Sequence, residues 1–122
     1  MIEQLKDVPA NIACFRATGE VTKEDFKKVL VPGVERLLDR IDKINFILIL
    51  DTDVKDFSAG AWLQDAMLGL RHLLNWNRAS IVTDSEGVKK FTNAFSVVVP
   101  GEFRGFSKSE LQQAIDWTSE KN

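Results

Sequence analysis

One stretch of the chain is apolar on both of its faces. Residues 46–50 read Phe-Ile-Leu-Ile-Leu, with no alternation between apolar and polar positions. A strand of this kind must be covered on both sides, as in the middle of a sheet that lies between helices. Binding sites in parallel sheets lie outside the carboxyl ends of the strands. We therefore expect the functional edge where Leu50 gives way to the polar sequence that begins at Asp51.

Four further segments have the pattern of short strands. Residues 2–5 and 11–18 are joined by a turn-like segment that contains Pro9, which predicts an antiparallel hairpin at the start of the sheet. The other two strands are predicted at residues 79–83 and 102–106.

A first helix is predicted between the hairpin and the apolar strand. Thr22 can cap its N-terminus, and apolar residues recur at helical spacing as far as Ile41. Pro32 interrupts this pattern. Because proline lacks an N–H group and its ring clashes with the preceding turn, we expect a kink or a break near residues 30–33.

Three more helices are indicated by residues that cap helix N-termini. The candidate caps are Asp56 or Ser58 for a helix that ends near Asn75, Asp84 or Ser85 for the next, and Ser107 with Glu110, a capping box, for the last. In the last helix the residues expected to face the core are Leu111, Ala114, Ile115 and either Trp117 or Thr118. The order ββαβαβαβα predicts an α/β fold in which helices pack on a mixed sheet of about five strands. A chain of 122 residues suits a single domain, which we assign to residues 1–122.

Composition and charge narrow the choice of partner and compartment. The chain has 16 basic and 18 acidic residues, and Lys89-Lys90 is its nearest approach to a basic cluster, so we expect no nucleic-acid partner. Its apolar runs are far shorter than the roughly 20 residues of a membrane span, and the first residues do not resemble a signal peptide. The lone Cys14 cannot form an internal disulfide and is expected to be a small buried residue. A cytoplasmic location is the expectation that follows.

No complete catalytic or metal-binding pattern is visible. His72 is the only histidine, and neither a cysteine nor a second histidine accompanies it to form a metal site. Cys14 has no neighbouring base that would activate it as a nucleophile. We therefore expect no enzymatic activity, no metal and no cofactor.

The acidic sequence after the apolar strand leaves one alternative open, a phosphoacceptor of the response-regulator type at Asp51. Thr83 would then be the switch hydroxyl. A receiver also needs an acidic pair after its first strand to hold magnesium and a lysine at the end of its last strand. Residues 6–9 read Lys-Asp-Val-Pro, and the last strand contains Arg104 and no lysine. The simpler interpretation is that Asp51 and Asp53 keep a strand-end turn soluble or cap backbone N–H groups.

Four segments together resemble the SpoIIAA-like family of STAS and Sec14-type domains. They are FSAGA at residues 57–61, GLRH at 69–72, RASIVTD at 78–84 and PGEFRGF at 100–106. The resemblance implies a small bacterial cytosolic domain, often dimeric. Its relatives bind partner proteins or hydrophobic ligands and are not known as enzymes.

The resemblance also bears on phosphorylation of the loop after the central strand. In STAS anti-sigma-factor antagonists this loop reads Asp-Ser-Ser-Gly, and the second serine is phosphorylated to release the partner. This chain has Ala59 at that position, before Gly60, so the standard serine switch is not expected. Ser58 is interpreted as a helix cap.

We place the candidate site at the carboxyl end of the central strand and the start of the following helix. Its predicted residues are Asp53, Phe57, Ser58, Trp62 and His72. Phe57 and Trp62 lie where pockets tend to form, which predicts binding of a hydrophobic small molecule or lipid. Alternatively, Trp62 and Met67 form an exposed patch that binds a partner protein or pairs two copies as a homodimer.

Overall fold

The computed structural model describes residues 1–19, 22–51, 76–83 and 102–120. The elements are β1 (Ile2–Leu5), β2 (Ala13–Thr18), α1 (Lys23–Asp25), a π-helical segment (Phe26–Leu30), α2 (Val31–Ile41), β3 (Ile44–Asp51), β4 (Trp76–Val82), β5 (Glu102–Phe106), a 3-10 turn (Lys108–Glu110) and α3 (Leu111–Ser119). The two helices predicted after β3 and after β4 lie outside the described residues.

The strands form one five-stranded mixed sheet in the order β1-β2-β3-β4-β5. Strands β1 and β2 pair antiparallel, and each later strand pairs parallel to its neighbour. The predicted hairpin, the mixed α/β sheet and the central position of the apolar strand are therefore confirmed. Strand β2 begins two residues later than predicted, and β4 begins three residues earlier.

Both faces of β3 are buried, as its composition requires. Phe46, Leu48 and Leu50 face the helical region that ends in α2, whereas Ile47 and Ile49 face α3. Each of these five side chains is less than 9 % exposed. Because α2 and α3 cover opposite faces, the sheet is the middle layer of the domain.

The first helical region remains helical through Pro32, so the chain does not break there, and the irregularity expected near residues 30–33 is a change of hydrogen-bond register. Thr22 and Asp25 cap the start of this region reciprocally, each accepting the other's backbone N–H at 3.2 Å. A five-residue π-helical segment then changes the hydrogen-bond register before α2 begins at Val31. Pro32 thus lies in the first turn of α2, directly after this change of hydrogen-bond register.

The approach of α2 to the sheet depends on a glycine. A Cβ atom at Gly33 would lie 2.6 Å from Cζ of Phe15, a fully buried ring on β2. Helix α2 therefore packs directly against the sheet at this point. It ends at Ile41, and the next residue, Asp42, has a left-handed backbone (φ 60°) and donates its N–H to the carbonyl of Leu38.

The 3-10 turn that leads into α3 begins at the predicted capping box, in which the backbone N–H of Ser107 donates to the Glu110 carboxylate at 2.9 Å. Ala114 and Thr118 are fully buried, and Trp117 is half-buried. Polar contacts hold the far end of the helix. The hydroxyl oxygens of Thr118 and Ser80 lie 2.5 Å apart, and the guanidinium of Arg78 donates to the carbonyl of Trp117.

Candidate functional site at the carboxyl edge of the sheet

The five predicted site residues, Asp53, Phe57, Ser58, Trp62 and His72, all lie outside the described residues. The described residue closest to them in sequence is Asp51, the last residue of β3. It lies at the carboxyl edge of the sheet, where β2, β4 and β5 also end. This edge is therefore the part of the candidate site that the structure describes.

Two cations bind the Asp51 carboxylate. Arg16, on β2, donates to Oδ2 through Nε at 3.0 Å and also through Nη2. Lys108, in the 3-10 turn, donates to Oδ1 through Nζ at 2.9 Å. The two carboxylate oxygens are thus held by different side chains. We call Arg16, Asp51 and Lys108 the edge cluster.

Strand register explains why these residues meet. Thr18 pairs with Asp51 and Arg16 pairs with Ile49, so Arg16 lies one diagonal step from Asp51. Strand alternation places both side chains on the face that packs α3. Lys108 belongs to the turn between β5 and α3, and so it approaches the same edge from the other side.

The edge cluster carries fixed charges at neutral pH. Hydrogen bonds from Arg16 and then Lys108 lower the pKa of Asp51 to about 2, and the bond to Asp51 raises the pKa of Arg16. The side chains of Arg16, Asp51 and Lys108 are 45, 32 and 39 % exposed, so water and small solutes reach all three.

Cys14 is the one cysteine of the chain, and it lies in the core of the sheet face that packs α3. Burial raises the pKa of its thiol to about 12, so it is not a thiolate at neutral pH. The prediction that Cys14 is a small buried residue is confirmed.

The sequence pattern did not predict that Lys108 binds Asp51 at this edge. A receiver has a lysine at the end of its last strand, whereas Lys108 comes two residues after β5 ends. On the β2 side of Asp51, however, the structure places the cation Arg16, where a receiver would need carboxylates for magnesium. Among the described residues no three histidine, cysteine, aspartate or glutamate side chains gather as a metal site.

A shallow surface depression of about 270 Å³ lies at the opposite, amino edge of β3 and β4. Asp42, Lys43, Trp76 and Asn77 line it. Asn77 is the extra residue of an irregularity in the β3–β4 register, and its amide donates to Asn45 at 2.8 Å. This depression lies at the opposite edge of the sheet from Asp51.

Comparison with known families agrees with this architecture. The family model described as SpoIIAA-like matches residues 12–119. The chain belongs to the SpoIIAA-like family. Its resemblance to that family, inferred from four short segments, is therefore confirmed.

A solved structure shows the same SpoIIAA-like fold. It is an uncharacterized protein of the DUF3478 family from Shewanella loihica PV-4, with 27 % sequence identity and a TM-score of 0.65. The match covers 96 % of this chain and 93 % of that one. No functionally curated protein gave a significant match. Within the described ranges, no helix has both the length and the apolar character needed to cross a bilayer.

Proposed function

We propose that this SpoIIAA-like protein is a non-catalytic binding module that takes a hydrophobic small molecule or lipid at the carboxyl edge of β3. The observation that carries the non-catalytic part of the proposal is the ion pairing of Asp51. Its carboxylate is bound by two cations and has a pKa of about 2, far from the near-neutral value that suits a general base. Its role at this edge is accordingly electrostatic and structural.

The binding residues in this proposal are Asp53, Phe57, Ser58, Trp62 and His72. Support comes from their position in the chain, since the segment that carries them follows Asp51, the last residue of β3, in the sequence. Two of them are aromatic, and aromatic side chains combined with a few polar groups are typical of small-molecule sites.

Replacing Trp62 by alanine is expected to abolish retention of a bound ligand, because the indole supplies the largest apolar surface among the proposed residues. Native mass spectrometry of the purified protein measures this. The unmodified protein should carry an additional ligand mass, which Trp62→Ala loses and Trp62→Phe keeps.

Circular dichroism separates loss of binding from loss of folding in these variants. A folded Trp62→Ala protein that retains both the ligand and the oligomeric state of the parent contradicts our placement of the site. A clean dimer mass without ligand, dissociated by Trp62→Ala, would instead favour the homodimerising protein-interaction module of the anti-sigma-factor-antagonist type.

The receiver-like alternative is expected to fail in a direct assay. Incubation with acetyl phosphate and magnesium should give no phosphoryl mass gain. The Asp51 carboxylate is already bound by two cations, and the described residues supply no acidic pair beside it. Intact-mass spectrometry of the parent and of Asp51→Asn is the measurement. A gain of one phosphoryl group in the parent that is absent from Asp51→Asn would establish the phosphoacceptor.

A further inference from the structure

The last strand of the sheet, β5, carries opposite charges at positions that match when the strand is paired with itself. We propose that β5 pairs antiparallel with β5 of a second copy of this chain, in the register that places Glu102 opposite Arg104 of the partner subunit. This pairing goes beyond the proposed function and does not rest on it. It also differs from the alternative dimer described above, which would use Trp62.

The outer edge of β5 is open to a further strand. Within the described ranges its one ladder partner is β4, so β5 is an edge strand. Gly105 has only main-chain atoms and is exposed, so the main chain of β5 reaches solvent at this point. Unpaired N–H and C=O groups on an edge strand are a template for pairing with another chain.

The ladder between β4 and β5 fixes which groups point outward. The carbonyl of Phe106 accepts the N–H of Thr83 at 2.9 Å, so the main-chain groups of Phe106 point toward β4. These groups alternate in direction along a strand, and those of Phe103 and Gly105 therefore point away from β4. Across a two-fold axis, Phe103 can exchange both of its hydrogen bonds with Phe103 of the partner subunit.

This register brings opposite charges together twice. With Phe103 on the axis, Glu102 of each copy lies opposite Arg104 of the partner subunit. Both side chains are on the face of the sheet that packs α3, because they alternate with Phe103 along the strand. They form a pair without main-chain hydrogen bonds, the kind in which opposite side chains come closest. Opposite charges in such positions stabilise strand pairing.

Glu102 is able to bind a second cation. Its side chain is 63 % exposed, and one carboxylate oxygen, Oε2, accepts from Nε of Arg78 at 3.0 Å. A carboxylate accepts several hydrogen bonds, so Glu102 can keep this contact and still bind an arginine of the partner subunit.

Arg104 is positioned by ring contacts and has no hydrogen bond or ion pair with a described residue. Its guanidinium lies over the rings of Phe106 and Trp117, at 5.2 and 5.7 Å from their centroids, and its side chain is exposed. Hydrogen bonds from Ser107 lower the pKa of Glu110, and Arg104 contributes after them. Because Glu110 is held in the capping box, the guanidinium donors of Arg104 can bind another carboxylate.

Helix α3 leaves room for the second copy. It packs mainly over β3 and β4. In the paired sheet the two copies of α3 would be about four strand spacings apart, or roughly 19 Å, whereas packed helices need about 8–10 Å. The two helices can therefore lie on the same face without overlap.

The other edge of the sheet lacks this complementarity. Thr18 and Met1 exchange main-chain hydrogen bonds, so in β1 the groups of Gln4 point outward. Pairing of β1 with itself around Gln4 would set Glu3 opposite Leu5, which gives no contact between opposite charges. The charge pattern therefore selects β5.

Sedimentation equilibrium of the intact protein tests the pairing, over about 1 µM to about 1 mM, a range that suits small reversible interfaces. We expect a concentration-dependent dimer. Arg104→Glu sets like charges opposite each other and should weaken dimerisation about tenfold or more. Lys27→Glu makes the same change in net charge at an exposed position of the first helical region and should behave like the parent.

A mixture of two charge-reversed variants tests the register. Glu102→Lys sets cations opposite each other, as Arg104→Glu sets anions, so each variant alone should be weakened. Together they restore opposite charges at both contacts and should form a heterodimer. Native mass spectrometry, with one variant labelled with ¹⁵N, resolves this species. Circular dichroism checks the folding of Glu102→Lys, which also loses a contact with Arg78.

Amide hydrogen exchange tests the same register without Glu102→Lys. In the dimeric parent the amide of Phe103 should exchange about tenfold more slowly than in monomeric Arg104→Glu, because it gains a partner in the second copy. The amide of Phe106 points toward β4 and should be protected equally in both proteins.

Four results would overturn the inference. A parent that stays monomeric up to about 1 mM would do so, whatever other chain then binds this edge. The others are a dimer that persists in Arg104→Glu, two folded variants that form no heterodimer, and equal exchange at Phe103 in dimer and monomer. A dimer that only Trp62→Ala dissociates would place the contact at the alternative surface. The ligand-binding proposal is tested separately by retention of the ligand mass in Trp62→Ala.

Discussion

Phe46→Ala is expected to lower the free energy of unfolding by about 3–5 kcal/mol, the largest stability effect we predict for a single side chain. Phe46 is fully buried in the central strand. Its ring packs against Phe15, with centroids 5.7 Å apart, and edge-on against Trp76 at 5.9 Å. Removing the ring leaves a cavity between the sheet and α2 that these neighbours cannot fill without moving. Urea unfolding followed by circular dichroism measures the loss.

Two further variants serve as controls for that measurement. Phe46→Leu keeps most of the volume and should cost less than about 1.5 kcal/mol. Ile47→Val removes one methylene from the opposite face of β3 and should cost about 1 kcal/mol, since that face is covered by α3. If Phe46→Ala and Ile47→Val were both as stable as the parent, β3 would not be the enclosed centre of the domain.

Local signals explain why much of the fold could be predicted from the sequence. The apolar run of β3, the hairpin and the capping box at Ser107 each depend on residues that are neighbours in the chain, and all three are confirmed. The start of β4 was not predicted, because the sequence of Trp76, Asn77 and Arg78 does not have the pattern of a strand.

Arg78 shows why local pattern fails at that point. It is 8 % exposed, and its partners include the Glu102 carboxylate and the carbonyl of Trp117, a residue 39 positions away. The π-helical segment before Pro32 was also missed. A proline indicates that the regular helix is disturbed, but it does not show whether the chain breaks or changes hydrogen-bond register.

The edge of the candidate site could be predicted, but its charge partners could not. The apolar strand placed Asp51 at the carboxyl edge. Arg16 is 35 positions before Asp51 and Lys108 is 57 positions after it, so only strand register and the packing of α3 bring them together. The assignment of Asp53, Trp62 and the other proposed binding residues stays a prediction.

Gly33→Ala is expected to destabilise the protein by about 1–3 kcal/mol, although alanine is the better helix former. Helix propensity alone would favour alanine by up to about 1 kcal/mol. The new Cβ atom, however, would lie 2.6 and 2.8 Å from Cζ and Cε1 of Phe15. That ring is fully buried and packs against Phe46, so it has no room to withdraw. The third close atom, Oε1 of Gln4 at 2.9 Å, ends a flexible side chain and can move.

Thermal and urea unfolding of Gly33→Ala measure the balance between propensity and steric overlap. Glu35→Ala, at an exposed position of the same helix, should change stability by less than about 0.5 kcal/mol. In a Phe15→Leu background the cost of Gly33→Ala should fall, because the shortened side chain leaves space for the added methyl group and the two substitutions are coupled. A Gly33→Ala protein more stable than the parent would mean that α2 does not rest on Phe15. The glycine would then contribute only its low helix propensity.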